Sequence, residues 1–147
     1  AQPEAVLPQE LEPLARKLAD PGLSSYVAEQ LSRLQVAEAG ELEGWIIKVV
    51  DLVDSLQALT AYSEGDIALI TQITNTLVEC LKEHSVELIS QDDWTPAYQR
   101  AVKVNRILPE GSFPVIVRTF ATGIIHSGRL MRKQEVELNL PGGDSAL

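Results

Sequence analysis

Few residues of this 147-residue chain have the types and spacing that chemistry asks for. Cys80 and His84 stand four apart, one helical turn, and are the one such pair of potential metal ligands in the sequence. A metal site needs three or four clustered ligands, and His126 is remote. Cys80 also falls on an apolar stripe, which reads as packing. A nucleophile and its base would have to be drawn from these same residues beside a Ser or Thr, and nothing local brings them together. Asp92-Asp93 lie in the turn-like QDDWTP, where acids serve the backbone. Gly142-Gly143 is an isolated pair, unlike a phosphate-cradling glycine loop. No catalytic residue, metal ligand or cofactor is assigned, and a non-enzyme is expected.

One cluster remains. In GIIHSGRLMRKQEVELNL, residues 123–140, three cations (Arg129, Arg132 and Lys133) fall within five positions, between a Ser-Gly pair and an alternating run. The chain as a whole carries a net charge of −9. Residues 1–99 hold 5 Lys+Arg against 17 Asp+Glu, a net of −12, while residues 100–147 hold 7 against 4, a net of +3. Such a balance argues against nonspecific nucleic-acid binding, which runs on phosphate neutralisation. It suits a C-terminal third that meets an acidic surface and equally a solvated face with no partner.

The elements that must position these cations follow from periodicity. Hydrophobic content of 45 % is enough for a buried core. The longest apolar stretch, around Trp45-Ile46-Ile47 and Val49-Val50, is interrupted by Lys48 and Asp51, so no membrane span is expected. No charged-then-apolar signal region opens the chain. The single Cys80 rules out an internal disulfide and fits a reducing compartment, so a cytoplasmic location is expected. Residues 1–8 read as a frayed leader. A short helix is expected over about 9–19, stopped by Asp20-Pro21-Gly22. Ser24 or Ser25 would cap a second helix with Tyr26, Val27, Leu31 and Leu34 on one face. Trp94 reads as an anchor of the β part onto the helices.

Trp45, Val49, Leu52, Leu56 and Leu59 follow at heptad spacing, with Ile46, Val50 and Val53 as a second stripe beside them. After the YSEGD break a helix resumes near Asp66, carrying Ile70, Ile73, Leu77, Cys80, Leu81 and His84. So short a loop makes the two helices antiparallel. A lone hairpin would leave about 1.5–3 kcal/mol of unrealised burial per large apolar side chain. Two remedies stand open: a four-helix bundle shared by two copies, or N-terminal helices folding back over the hairpin. Beyond residue 85 the period becomes alternating, with strands expected at 86–89, 101–104, 114–118 and 136–140. The fold class is therefore α+β. We divide the chain into a leader and short helix (1–22), a helical dimerisation domain (23–85), a small β-domain (86–140) and a loose tail (141–147).

From about residue 45 to 140 the sequence resembles the GrpE family, nucleotide exchange factors of DnaK-type chaperones. The resemblance rests on five pieces in order. IIKVVDLVDSLQALTAY places Val50-Asp51 where the family has Leu-Asp. LVECLKEHSVELIS matches its helix-to-strand passage, with Ser85 in place of Gly. WTPAYQRAV keeps Pro96, Ala101 and Val102. PEGSFPVIVRTFATG and IIHSGRLMRKQEVELNL put Gly111, Gly128, Arg129, Arg132 and Val136 on family positions. The sequence departs from the pattern at Ser85, at Gln99 (a His in the family) and at Lys133-Gln134 (Pro-Ala). The family's long N-terminal paired helix is largely missing.

The resemblance implies a homodimer through a four-helix bundle, with Trp45, Val49, Leu52, Leu56, Leu59, Ile73 and Leu77 at the seam. It also implies a β-domain that presses on the ATPase domain of a DnaK-type (heat shock protein 70 family) chaperone. Arg129, Arg132, Gly128, Lys133 and Arg118 would form that contact, and ADP release would follow. Neither nucleic acid nor membrane is implied as a partner. The same fold could instead serve as a scaffold module, or as a dedicated assembly or secretion chaperone without exchange activity. In the absence of any partner, the arginines would pair with Glu135 or Glu137 on a solvated hairpin.

Overall fold

Asp20-Pro21 opens a helix rather than merely closing one. In the computed structural model, which describes residues 2–142, Asp20 is extended and its Oδ1 accepts a hydrogen bond from Leu23 N at 3.0 Å, with Pro21 at the start of the helix. Proline suits that position because its missing N–H would have no intrahelical acceptor there. The boundary expected at residue 22 is thus a helix start. Ser24 does not cap; its hydroxyl donates to Ala15 O at 2.9 Å and joins α2 (Pro21–Arg33) to α1 (Leu11–Arg16).

The leader is not frayed. Ala5–Val6 (β1) pairs antiparallel with Val36–Ala37 (β2), and Ala5 and Leu7 are buried. Glu4 N donates to Ala37 O at 2.7 Å and Leu7 N to Gln35 O at 2.9 Å, so two strands too short to register as alternation close the backbone of both segments.

Two longer helices follow, α3 (Leu42–Leu59) and α4 (Ile67–Glu83), joined by two single turns of 3₁₀ helix. Both stripes of α3 are buried: Trp45, Ile46, Val49, Val50, Leu52, Val53 and Leu56 are each at most 5 % exposed. On α4, Ile70, Ile73, Leu77, Cys80 and Leu81 are buried as well. Of the side chains assigned above to a seam between copies, six lie inside this chain's own core and only Leu59 is partly exposed. A single chain already supplies this burial, with the carbonyl at the end of α2 against Trp45 of α3. α1 packs on α2 and α4, and α3 on α4.

Polar groups hold the arrangement. Asp66, 4 % exposed, accepts Ala19 N on Oδ1 at 2.7 Å and Asp20 N on Oδ2 at 3.2 Å, tying the start of α4 to the α1–α2 junction. Trp45 Nε1 donates to Leu34 O at 2.8 Å, and its ring meets His84 edge-on at 5.5 Å. The Cys80 thiol is buried; desolvation first, and then Glu83, pushes its pKa up, so it stays a packed neutral thiol. Ser85 follows α4 with φ +62, the left-handed conformation that commonly terminates helices and favours glycine.

The chain divides into two compact units, Ala1–Val86 and Glu87–Leu147. The second is all β. Val86–Ile89 (β3), Gly123–His126 (β6) and Arg129–Arg132 (β7) form one sheet in the order β3-β6-β7. Gln99–Leu108 (β4), Gln134–Pro141 (β8) and Val115–Ala121 (β5) form another, β8 central, parallel to β4 and antiparallel to β5. Of the tail, Pro141 ends β8 and Gly142 N donates to Leu108 O at 2.9 Å; the rest, from residue 143, lies outside the described residues. The architecture is α+β. No helix among the described residues is long and apolar enough to cross a membrane.

Asp66→Ala removes the acceptor of two partly buried N–H groups, and we expect a loss of about 1–2 kcal/mol in urea unfolding followed by circular dichroism. Ser85→Gly relieves a left-handed non-glycine residue, and the same measurement should show a gain of about 0.5–1 kcal/mol.

Candidate protein-binding site

The hairpin β6–β7 turns at Ser127 (φ +51) and Gly128 (φ +82). Positive φ at both central residues is the signature of a two-residue turn whose twist matches its strands. Register pairs His126 with Arg129 across it, so Arg129 emerges exposed at the first position after the turn. Its stiffness comes from backbone geometry. Gly123, where β6 begins, admits no side chain: a Cβ there would sit 2.7 Å from Gln134 N. Close approach thus fixes the base of the hairpin against the start of β8.

Three further cations assigned to a partner make contacts within the β unit. Arg132 donates from Nε (3.1 Å) and Nη2 (2.8 Å) to Thr122 O, clamping the end of β7 to the residue that precedes β6. Lys133 Nζ donates to Pro96 O at 3.0 Å. Arg118 belongs to the other sheet, where its Nε lies 2.9 Å from Glu137 Oε1 and its guanidinium 5.9 Å from the Phe120 ring centroid. The structure therefore groups Gly128, Arg129 and Arg132 on one hairpin, sets Lys133 just beyond it, and separates Arg118. Trp94 is only partly buried, in the loop before β4.

Two features of the β unit were not read from the sequence. Gln99 and Gln134, both nearly inaccessible, donate and accept as a pair: Gln99 Nε2 to Gln134 Oε1 at 3.0 Å. Gln134 Nε2 donates to Thr119 Oγ1 at 2.7 Å, Gln91 N donates to Gln134 Oε1 at 2.9 Å, and Gln99 Oε1 accepts Thr95 N. These are two of the positions at which the sequence departs from the GrpE pattern, and they touch each other. The only sequence signal was that both departures are to the same amide side chain.

Glu137 is the other. Its carboxylate is 7 % exposed and sits on β8 between the flanking strands. It accepts from Asn105 Nδ2 of β4 at 2.7 Å, with Lys103 Nζ at 3.7 Å and Arg118 of β5 at 2.9 Å from its oxygens. The Arg118 contact lies outside hydrogen-bonding geometry and acts as an ion pair. Arg100 pairs with Glu135 on the same face. So Glu135 and Glu137 do engage arginines, but from β4 and β5. The Asn105 hydrogen bond, and then Lys103 and Arg118, hold the Glu137 pKa below the ordinary 4.5 against the opposing effect of burial.

Among the described residues, no group of three or more His, Cys, Asp or Glu is placed to hold a metal ion. Comparison with protein-family models returns no match, and comparison with curated proteins finds no relative.

A depressed carboxylate pKa stabilises the fold above the unfolded value and stops doing so as pH falls through the folded one. We therefore expect protection of β4, β5 and β8 amides from hydrogen exchange to weaken as pH drops below about 4.5, the ordinary value. Glu137→Gln should lower protection at neutral pH and flatten this acid dependence.

Proposed function

We propose that this chain is a nucleotide exchange factor of the GrpE kind, which binds the ATPase domain of a DnaK-type chaperone through its β unit and promotes ADP release. The observation that carries the proposal is Arg129, an exposed guanidinium beside a two-residue turn on a hairpin based against β8. A planar fork on a rigid mount can engage carboxylates or carbonyls bidentately, which an ammonium cannot. The paired contact of Gln99 with Gln134 supports the reading too, since the two departures form one satisfied buried network.

The mechanism is coupling. A factor that binds the open, nucleotide-poor ATPase cleft more tightly than the closed one weakens nucleotide binding by the same factor. Each ~1.4 kcal/mol of that preference is tenfold in nucleotide affinity. The reading includes a homodimer. Burial of α3 and α4 does not require one, and a seam through Trp45, Val49, Leu52, Leu56, Ile73 and Leu77 would first have to unpack the helical unit.

Stopped-flow release of fluorescent ADP from a DnaK-type chaperone of the same source organism tests this. We expect acceleration by the wild type, and Arg129→Ala to lose about 1.5–3 kcal/mol of complex stability with its own folding stability changed by less than ~0.5 kcal/mol. Binding to the chaperone without faster release would identify a scaffold instead. No acceleration of any DnaK-type chaperone of that organism would eliminate exchange.

A further inference from the structure

An amide side chain bridges the two sheets of the β unit. Gln134 opens β8, the central strand of the sheet β4-β8-β5, and stands two residues past the end of β7 in the sheet β3-β6-β7. Toward the latter, its Oε1 accepts Gln91 N at 2.9 Å and its Nε2 donates to Gln91 O at 3.2 Å, just beyond the end of β3. Within its own sheet, Nε2 donates to Thr119 Oγ1 of β5 at 2.7 Å, and Oε1 accepts Gln99 Nε2 of β4 at 3.0 Å. Gln99 Nε2 donates again, to Gln91 O at 3.2 Å. Gln134 is 0 % and Gln99 2 % exposed, so water does not compete for these bonds.

The same residue holds the base of the hairpin β6–β7. Gln134 N donates to Tyr98 O at 3.0 Å and is the atom that a Cβ on Gly123 would strike. Beside it, Lys133 Nζ donates to Pro96 O at 3.0 Å. The segment between β3 and β4 is thus fastened to the hairpin base at Gln91, Pro96 and Tyr98. The turn lies at the other end. Arg129 is three residues from the end of β7, about 10 Å at roughly 3.3 Å per residue. A tilt of about 10° at the base would carry it almost 2 Å, more than the spread of hydrogen-bond lengths allows.

Apolar side chains at these positions would fill the same space without direction. A buried amide network is satisfied by only one arrangement of the segments it joins. We propose that Gln134, with Gln99, is a positioning residue. Its amide fixes the pitch of the β6–β7 hairpin against the sheet β4-β8-β5, and so the place at which Arg129 meets the chaperone. Gln134 itself touches no partner, being fully buried. This role rests on the exchange reading for its partner, whereas the pitch stands on the bonds to Gln91, Gln99 and Thr119 alone.

Two measurements on the full chain test it, with Gln134→Leu as the main variant. Thr119→Val, at an exposed position, removes one acceptor of the network and carries both measurements if Gln134→Leu does not fold. Residual dipolar couplings of backbone amides in the free protein read the pitch. Hairpin and β8 of the wild type should fit one alignment, and the hairpin of the variant should depart from it. Titration of ADP release from a DnaK-type chaperone of the same source organism reads the consequence. Gln134→Leu should weaken binding about tenfold in the wild-type background, but less than about twofold when Arg129→Ala is already present. A residue that acts through Arg129 then has nothing left to position. The same factor lost in both backgrounds marks a merely structural role and overturns the proposal. So do variant couplings that still fit one alignment, with exchange left standing in either case. A wild type that accelerates no release removes the exchange reading instead, and the couplings alone then uphold or overturn the pitch.

Discussion

Everything in the helical unit depends on the need to bury α3 on two sides at once. A helix with Trp45, Val49, Leu52 and Leu56 along one stripe and Ile46, Val50 and Val53 along the next cannot be covered by α4 alone. Each large side chain left in water would forfeit about 1.5–3 kcal/mol. The N-terminal segments meet that demand, and the short polar contacts exist to let them. Asp66 supplies acceptors to the two N–H groups that the chain exposes as it turns from α1 into α2. Trp45 supplies a donor to the carbonyl at the end of α2. A buried carboxylate on backbone donors is a directional constraint that apolar packing alone does not provide.

In the β unit the corresponding constraint is a pair of central-strand side chains. Gln134 and Glu137 both lie on β8, three residues apart and on opposite faces, as strand geometry requires of an odd spacing. One knits β8 to Gln99 and Thr119 through neutral amide hydrogen bonds, the other to Lys103, Asn105 and Arg118 through charge. A small sheet with half-exposed faces has little apolar area to hold it together, so polar cross-strand contacts carry more of its specificity.

The exchange reading draws on the hairpin of this unit. The hairpin contributes Arg129 beside its turn, and its base is set by the close approach of Gly123 to β8. A factor that works by preferring one conformation of its partner has to be stiff at the contact, because any give in the binding surface dissipates the coupling.

The sequence by itself determined the four helices in order, the strands that became β3, β4, β5 and β8, and the stripes of α3 that would be buried. These depend on local periodicity, which is a property of each segment alone. It also marked Gly128 and Arg129, since a Ser-Gly turn followed by a cation is legible without neighbours. Only the tertiary structure decided what covers α3, because a stripe records that burial is needed and not which surface supplies it. Leader residues Ala5 and Leu7 were misread for the same reason: a two-residue strand has no period. The partners of Arg118, Arg132 and Lys133, and the meeting of Gln99 with Gln134, lie 10 to 37 residues away in the chain. Such contacts depend on strand register, which hydrophobic pattern constrains by face but bulges shift by a residue.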